Sequence, residues 1–179
     1  MKIGNIELKN NLILAPMAGV TDVGFRSLAV GYGADYAVGE MVSAKALKYK
    51  NKKTFDLLIT APNENIKVAQ IFGSDPKIMA SIVKSDILAK FDIIDINMGC
   101  PVPKVTKQGE GSALMKDPLR AGKIVEQCKK ATDRPITAKF RLGWVGNTSK
   151  EFAHIMQESG ADMITVHRSE ERRVGKECL

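Results

Sequence analysis

The chain has 179 residues, 44% of them hydrophobic, and a formal net charge of +7 with a pI near 9.3. That is the size of one ordinary domain with a real core, and no apolar run approaches the roughly 18 residues that span a bilayer. The basic balance suits a polyanionic partner such as nucleic acid, although many basic proteins bind none. Lys48, Lys50, Lys52 and Lys53 form the one dense basic cluster, which a solvated helix end explains equally well. Cys100, Cys128 and Cys178 are odd in number and lack a CxxC pairing, which argues against a disulfide framework or a metal site and fits a reducing compartment. The N-terminus, MKIGNIELKNN, has no apolar signal segment, so a cytoplasmic location is expected.

Strand-like and helix-like segments alternate along the chain. Leu12 to Pro16 reads as a first strand, and a helical stretch runs from about Gly24 to Val30. Asp35 to Val38 and Lys67 to Phe72 are the next strands. Gly73-Ser74-Asp75-Pro76 then supplies a turn, an N-cap and an early helical Pro, ahead of helical spacing over Ile78 to Leu88. Asp92 to Asn97 is the fourth strand, Asp117-Pro118 opens a helix to Ala131, and Pro135 to Arg141 is the fifth. Ser149 begins a helix that stops near Ser159-Gly160, and Met163 to His167 is the sixth strand.

Strands returning at such intervals suit βα units and a mostly parallel sheet. A doubly wound sheet and a (β/α)8 barrel both satisfy that pattern. Polar or reactive residues finish nearly every strand, namely Met17, Glu40, Gln70, Asn97, Lys139, Arg141 and His167. Their convergence from many strands favours the barrel, whose strand ends all surround one mouth. Neither a GxGxxG string nor a Walker loop is present. The expected fold is therefore an α/β TIM barrel, incomplete, with about six βα units where a full barrel needs roughly 250 residues. Residues 168–179 carry no pattern that packs, and the basic balance belongs to the body before them.

Ile93-Ile94-Asp95-Ile96-Asn97-Met98-Gly99-Cys100-Pro101 reads as a buried strand running into a tight turn that displays one thiol. An unperturbed thiol, with a pKa of about 8.5, is mostly protonated at neutral pH and can serve as an acid, or as a nucleophile if that value falls. Its Gly-Cys-Pro setting favours a functional role over an inert core cysteine, whereas Cys128 sits mid-helix and His154 lies on a different helix. Lys139 and Arg141 alternate along one strand and so share a face, where they call for an anion unless that face is solvated. Gln70 ends its strand with a mixed donor and acceptor that suit a planar heterocycle or a satisfied core site. Pro16-Met17-Ala18-Gly19 lets a flat ligand approach backbone amides, or is a plain strand-to-loop transition. Gly109-Glu110-Gly111-Ser112 reads as a lid, a substrate-contact loop or a connector.

Together the strings LAPMAGVTDVGFR from Leu14, GEMVSA from Gly39, QIFGSDP from Gln70, DINMGCPVPKV from Asp95, GSALMKDP from Gly111, AKFRLGW from Ala138 and ADMITVH from Ala161 resemble the tRNA-dihydrouridine synthases, especially the bacterial type. They cover residues 1–167 in the family's order. The resemblance implies an FMN-binding TIM barrel that reduces uridine in tRNA to 5,6-dihydrouridine, with NADPH as reductant. It implies that Pro16, Met17, Ala18, Gln70, Lys139 and His167 hold the flavin, that Cys100 is the general acid, and that Asn97 and Arg141 hold the uracil edge or a nearby phosphate. The target base must be extruded to reach the flavin, and the basic charge then serves phosphate contacts. The family usually continues with a Gly-Arg-Thr-Arg-like segment, two more βα units and a helical tRNA-binding domain. Here Arg168-Ser169-Glu170-Glu171 follows, so the chain is expected to be C-terminally truncated, with residues 168–179 atypical. A small-molecule FMN barrel oxidoreductase of the dihydroorotate dehydrogenase kind, and an inactive or RNA-binding fragment, are the alternatives. Exposed edges in an open barrel predict aggregation or oligomerisation.

Overall fold

A computed structural model describes residues 1–168. Residues 169–179 of the atypical tail, Cys178 among them, lie outside the described residues. The chain opens with a two-residue hairpin, β1 (Lys2–Ile3) and β2 (Ile6–Glu7), around Gly4-Asn5. There follow β3 (Ile13–Leu14), α1 (Val23–Gly31), β4 (Tyr36–Ala37), β5 (Val42–Ser43), α2 (Ala44–Lys48) and α3 (Lys52–Asp56). Next come β6 (Val68–Phe72), α4 (Pro76–Lys84), β7 (Ile93–Met98) and α5 (Pro103–Thr106). The chain continues through α6 (Pro118–Lys130), β8 (Ile136–Arg141), α7 (Ser149–Glu158) and β9 (Met163–His167). Two 3-10 segments, Asp86–Leu88 and Gly111–Lys116, precede β7 and α6 respectively.

All six expected strands are present within a residue or two of their expected bounds. β3 pairs with β4, while β5, β6, β7, β8 and β9 form one sheet, and every one of these pairings is parallel. A parallel bridge from Val38 to Val68 links the two sets. Spatial order therefore follows chain order along the wall. The barrel expectation meets a difference here: no pairing joins β9 back to β3 among the described residues, so the wall is open. Closing it would require further strands to occupy both of those edges.

Helix entries follow their sequence signals. The side chains of Asp22, Asp75 and Asp117 accept from backbone N–H groups in the first turns of α1, α4 and α6, and Pro occupies the first turn of the latter two. The helix expected over Ile78 to Leu88 divides instead. Ser85 turns extended (ψ 157°) and its hydroxyl donates to the carbonyl of Ile82, ending α4 before the 3-10 turn.

Period-two alternation gives the wall two faces. Ala69, Ile71, Ile94, Ile96, Met98, Ile136, Ala138 and Phe140 face the helices and join Met79, Ile82, Ile124, Val125 and Phe152 in the main core. Phe140 and Phe152 meet edge to face with ring centroids 4.8 Å apart, a geometry aromatic quadrupoles favour. On the other face, Tyr36, Val38, Val68 and Ile93 pack with Ile3 and Leu8 of the N-terminal hairpin region. A buried ion pair ties α1 to the loop before β6. Arg26 Nε donates to Glu64 at 2.7 Å, and Arg26 also donates to the carbonyls of Thr21 and Ile59.

Candidate active site

The face opposite the helices turns polar toward the C-terminal ends of β6 to β9. Register sets Gln70 beside Asp95 and Asp95 beside Thr137; Asn97 lies beside Lys139, and Arg141 beside His167. A cavity of about 260 Å³ opens there. Pro16, Ala18, Gln70, Asn97, Cys100, Lys139, Arg141 and His167 line it, with Met41 and the loop around Cys100. A smaller cavity of about 100 Å³ shares Pro16 and Lys139 and reaches Asp95, Thr137 and Tyr36. Of the residues expected at the site, Met17 alone is not in this lining. It is 44% exposed, and its main chain is held in a turn by the Thr21 hydroxyl.

Hydrogen bonds join these side chains in series. Thr137 Oγ1 and Gln70 Nε2 donate to the two oxygens of Asp95, the latter at 2.6 Å. Gln70 Oε1 accepts from Asn97 Nδ2 at 2.9 Å. Asn97 Oδ1 then accepts from the backbone N–H groups of Gly99 (3.2 Å) and Cys100 (2.9 Å). The loop is held from outside as well. Arg141 Nε donates to the Gly99 carbonyl at 2.6 Å, and Ser112 N donates to the Cys100 carbonyl at 2.9 Å.

The segment read as a lid, a substrate-contact loop or a connector packs as a buttress. Glu110, Gly111 and Ser112 are buried against the Cys100 loop, and Gly111 adopts φ +60°. A Cβ on Gly111 would stand 2.6 Å from the Cys100 carbonyl oxygen, closer than any side chain tolerates, so glycine is required there.

Burial raises the Asp95 carboxyl above its usual range, opposed by its bonds to Gln70 and Thr137 and by the Lys139 charge. Burial and the Asp95 charge push the Tyr36 phenol up. Glu110 is raised by burial and eased by Lys45. Cys128, fully buried, is pushed up to about 12, as an inert core thiol should be. His154 lies exposed on α7, away from the cavity lining.

Asp95, Thr137 and Met41 were not singled out from the sequence. For Asp95 a signal existed, since it alternates with Asn97 just as Lys139 alternates with Arg141. With Gln70 and Asn97 bonded as they are, each retains one amide hydrogen, and Lys139 and Arg141 only donate. The wall is thus rich in donors and cationic, suited to an acceptor-rich or anionic planar ligand beside a thiol. Among the described residues no group of three or more His, Cys, Asp or Glu could hold a metal ion, and no helix is long and apolar enough to cross a membrane.

Comparison with known proteins supplies the family. Two solved structures share the fold: the carboxyl transferase domain of Rhizobium etli pyruvate carboxylase (TM-score 0.58, 16% identity, 88% of this chain and 27% of that one) and a putative phosphonomutase from Burkholderia cenocepacia J2315 (TM-score 0.53, 15% identity, 87% and 68%). The tRNA-dihydrouridine synthase B of Vibrio parahaemolyticus is 42% identical over 169 residues, covering 93% of this chain and 52% of the relative. The probable tRNA-dihydrouridine synthase of Rickettsia conorii is 42% identical over 170 residues, covering 93% and 51%. The chain spans about half the length of these curated relatives. The model of the dihydrouridine synthase family (Dus) matches residues 13–177, which include every residue lining the larger cavity, and the chain belongs to that family.

Proposed function

We propose that this chain carries the catalytic half of a flavin-dependent enzyme that reduces uridine in tRNA to 5,6-dihydrouridine. The observation that carries the reading is the convergence of Cys100 with Gln70, Asn97, Lys139, Arg141 and His167 on one cavity. In this reading residues 1–167 are the N-terminal part of a TIM barrel. Support comes from six successive parallel strand positions in chain order. The enzyme works in the cytoplasm with NADPH as reductant.

The donor set fits FMN. Lys139, Arg141 and the remaining amide hydrogen of Gln70 match the acceptor-rich edge of an isoalloxazine ring, and a cation there favours an anionic reduced ring. Small Pro16 and Ala18 in the same lining admit a flat ligand, and Met17 and His167 complete the cofactor contacts. When bound, FMN supplies hydride for one carbon of the uracil C5–C6 bond. Cys100 holds a proton at Sγ for the other carbon. Asn97 and the terminal nitrogens of Arg141 orient the base or an adjacent phosphate. The charge of +7 lets phosphate contacts seat the tRNA while its base is extruded.

The test is flavin absorbance per mole of protein after incubation with FMN, followed by dihydrouridine formation in tRNA with NADPH, read by nucleoside mass. The proposal expects Cys100→Ala to retain flavin and to lose about 10²- to 10⁴-fold in dihydrouridine formation. Equal rates for Cys100→Ala and the unmodified chain would remove Cys100 from the role of acid. A chain that retains no flavin would overturn the proposal for this half alone.

A further inference from the structure

Asp95 is 4% exposed, lies outside the lining of the larger cavity that holds Cys100, and borders the smaller one. Both of its oxygens accept, one from Thr137 Oγ1 and one from Gln70 Nε2. An ionised carboxylate can only accept, so the Gln70 amide must turn its nitrogen toward Asp95 and its oxygen toward Asn97. Asn97 must then offer its nitrogen to Gln70, which turns Asn97 Oδ1 to the N–H groups of Gly99 and Cys100. Each orientation follows from the one beneath it. Reversing the series would set Asn97 Nδ2 against two backbone donors and release the loop.

We propose that Asp95 is a positioning residue: it fixes the direction of the Gln70–Asn97 amide series and through it holds Cys100 in place. The importance of that placement rests on the reading of Cys100 as the acid, but the placement itself is testable without flavin or RNA. Asn97→Asp sets a carboxylate oxygen against Gln70 Oε1, while Asp95 prevents Gln70 from turning over. Adding Asp95→Asn frees the whole series to reverse. The amide introduced at position 95 donates to Gln70 Oε1, Gln70 Nε2 donates to the carboxylate introduced at position 97, and that carboxylate still accepts from Gly99 and Cys100. Thr137 keeps its acceptor at position 95.

The experiment is the rate of iodoacetamide alkylation in the full chain, with peptide mass mapping to separate Cys100 from Cys128 and Cys178. Asn97→Asp should change the Cys100 rate about fivefold or more, and the double variant should return it to within about twofold, with Cys128 unmoved throughout. A double variant no closer to the unmodified chain than Asn97→Asp overturns the proposal. So does a parallel rise at Cys128, because the fold and not the series would then be responding. Should Asn97→Asp fail to accumulate as folded protein, Asp95→Leu takes its place. An altered Cys100 rate with Cys128 protected supports the series, and an unaltered rate overturns it. Failure of the proposed tRNA chemistry would appear in the dihydrouridine assay and leave these rates untouched.

Discussion

Gly111→Ala tests the claim that the segment after the Cys100 loop supports it. The glycine has φ +60°, and an added Cβ would meet the Cys100 carbonyl oxygen at 2.6 Å, Val105 Cγ1 at 2.9 Å and Cys100 Cβ at 3.1 Å. A left-handed conformation costs a residue with a side chain about 1–2 kcal/mol, and forced overpacking about 1–3 kcal/mol more. Together they give about 2–5 kcal/mol, or a fall in melting temperature of about 4–20 °C for a chain of this size. Gly109→Ala is the internal control. Its φ is +72°, but the nearest atoms would stand 3.9 Å away, so only the conformational part applies. That variant should fall by about 2–8 °C. Thermal unfolding by circular dichroism reads both, and alkylation of Cys100 reports whether the loop itself has moved. Equal melting temperatures and unchanged Cys100 alkylation in the two variants would refute the buttress.

Glu64→Gln leaves the Arg26 charge without its partner at a position where both side chains are nearly excluded from solvent. The expected loss is about 3–5 kcal/mol, measured by urea unfolding, and a loss below about 1 kcal/mol would show that the pair is not structural. Asp95 also makes stability depend on pH in a fixed direction. Its carboxyl is raised from an ordinary value of 3.8, so between that value and its native one the folded state binds more protons than the unfolded state. Stability therefore falls as pH rises through that window, and the melting temperature of the unmodified chain minus that of Asp95→Asn should rise as pH falls from 7 toward 4. A signed difference that falls on acidification would contradict the raised value.

The longer elements were legible because each carried its own signal. β6 to β9 show apolar alternation over five or six residues, and α4 and α6 open on Asp-Pro. β5, α2, α3 and α5 span two to five residues, too few for either periodicity to register. The hairpin of β1 and β2 went unread, although Gly4-Asn5 between Ile3 and Ile6 is a two-residue turn signal. The chain's two-sided wall also explains the site. Lys139 and Arg141 could be placed on one face by alternation alone, and the structure sets them together at the cavity. Met17 follows its strand in a turn closed by Thr21, where alternation no longer constrains direction.

What strand patterns cannot carry is the direction of bonds between side chains. Gln70 suited either a planar heterocycle or a satisfied core site, and both of its functional atoms are engaged by Asp95 and Asn97. Arg141 looked like a ligand cation, yet its Nε is spent on the Gly99 carbonyl, leaving the terminal nitrogens to face other partners. The demand for an anion that Lys139 creates is met in part from below, because Asp95 feels its charge. The same carboxyl accepts from Gln70 and Thr137. That arrangement orients the amides from beneath and sets Lys139 and Arg141 in the cavity lining above. It also makes Asp95→Asn and Lys139→Met unlike perturbations: the first should act on the Cys100 loop, and the second on whatever anionic ring the cavity accepts.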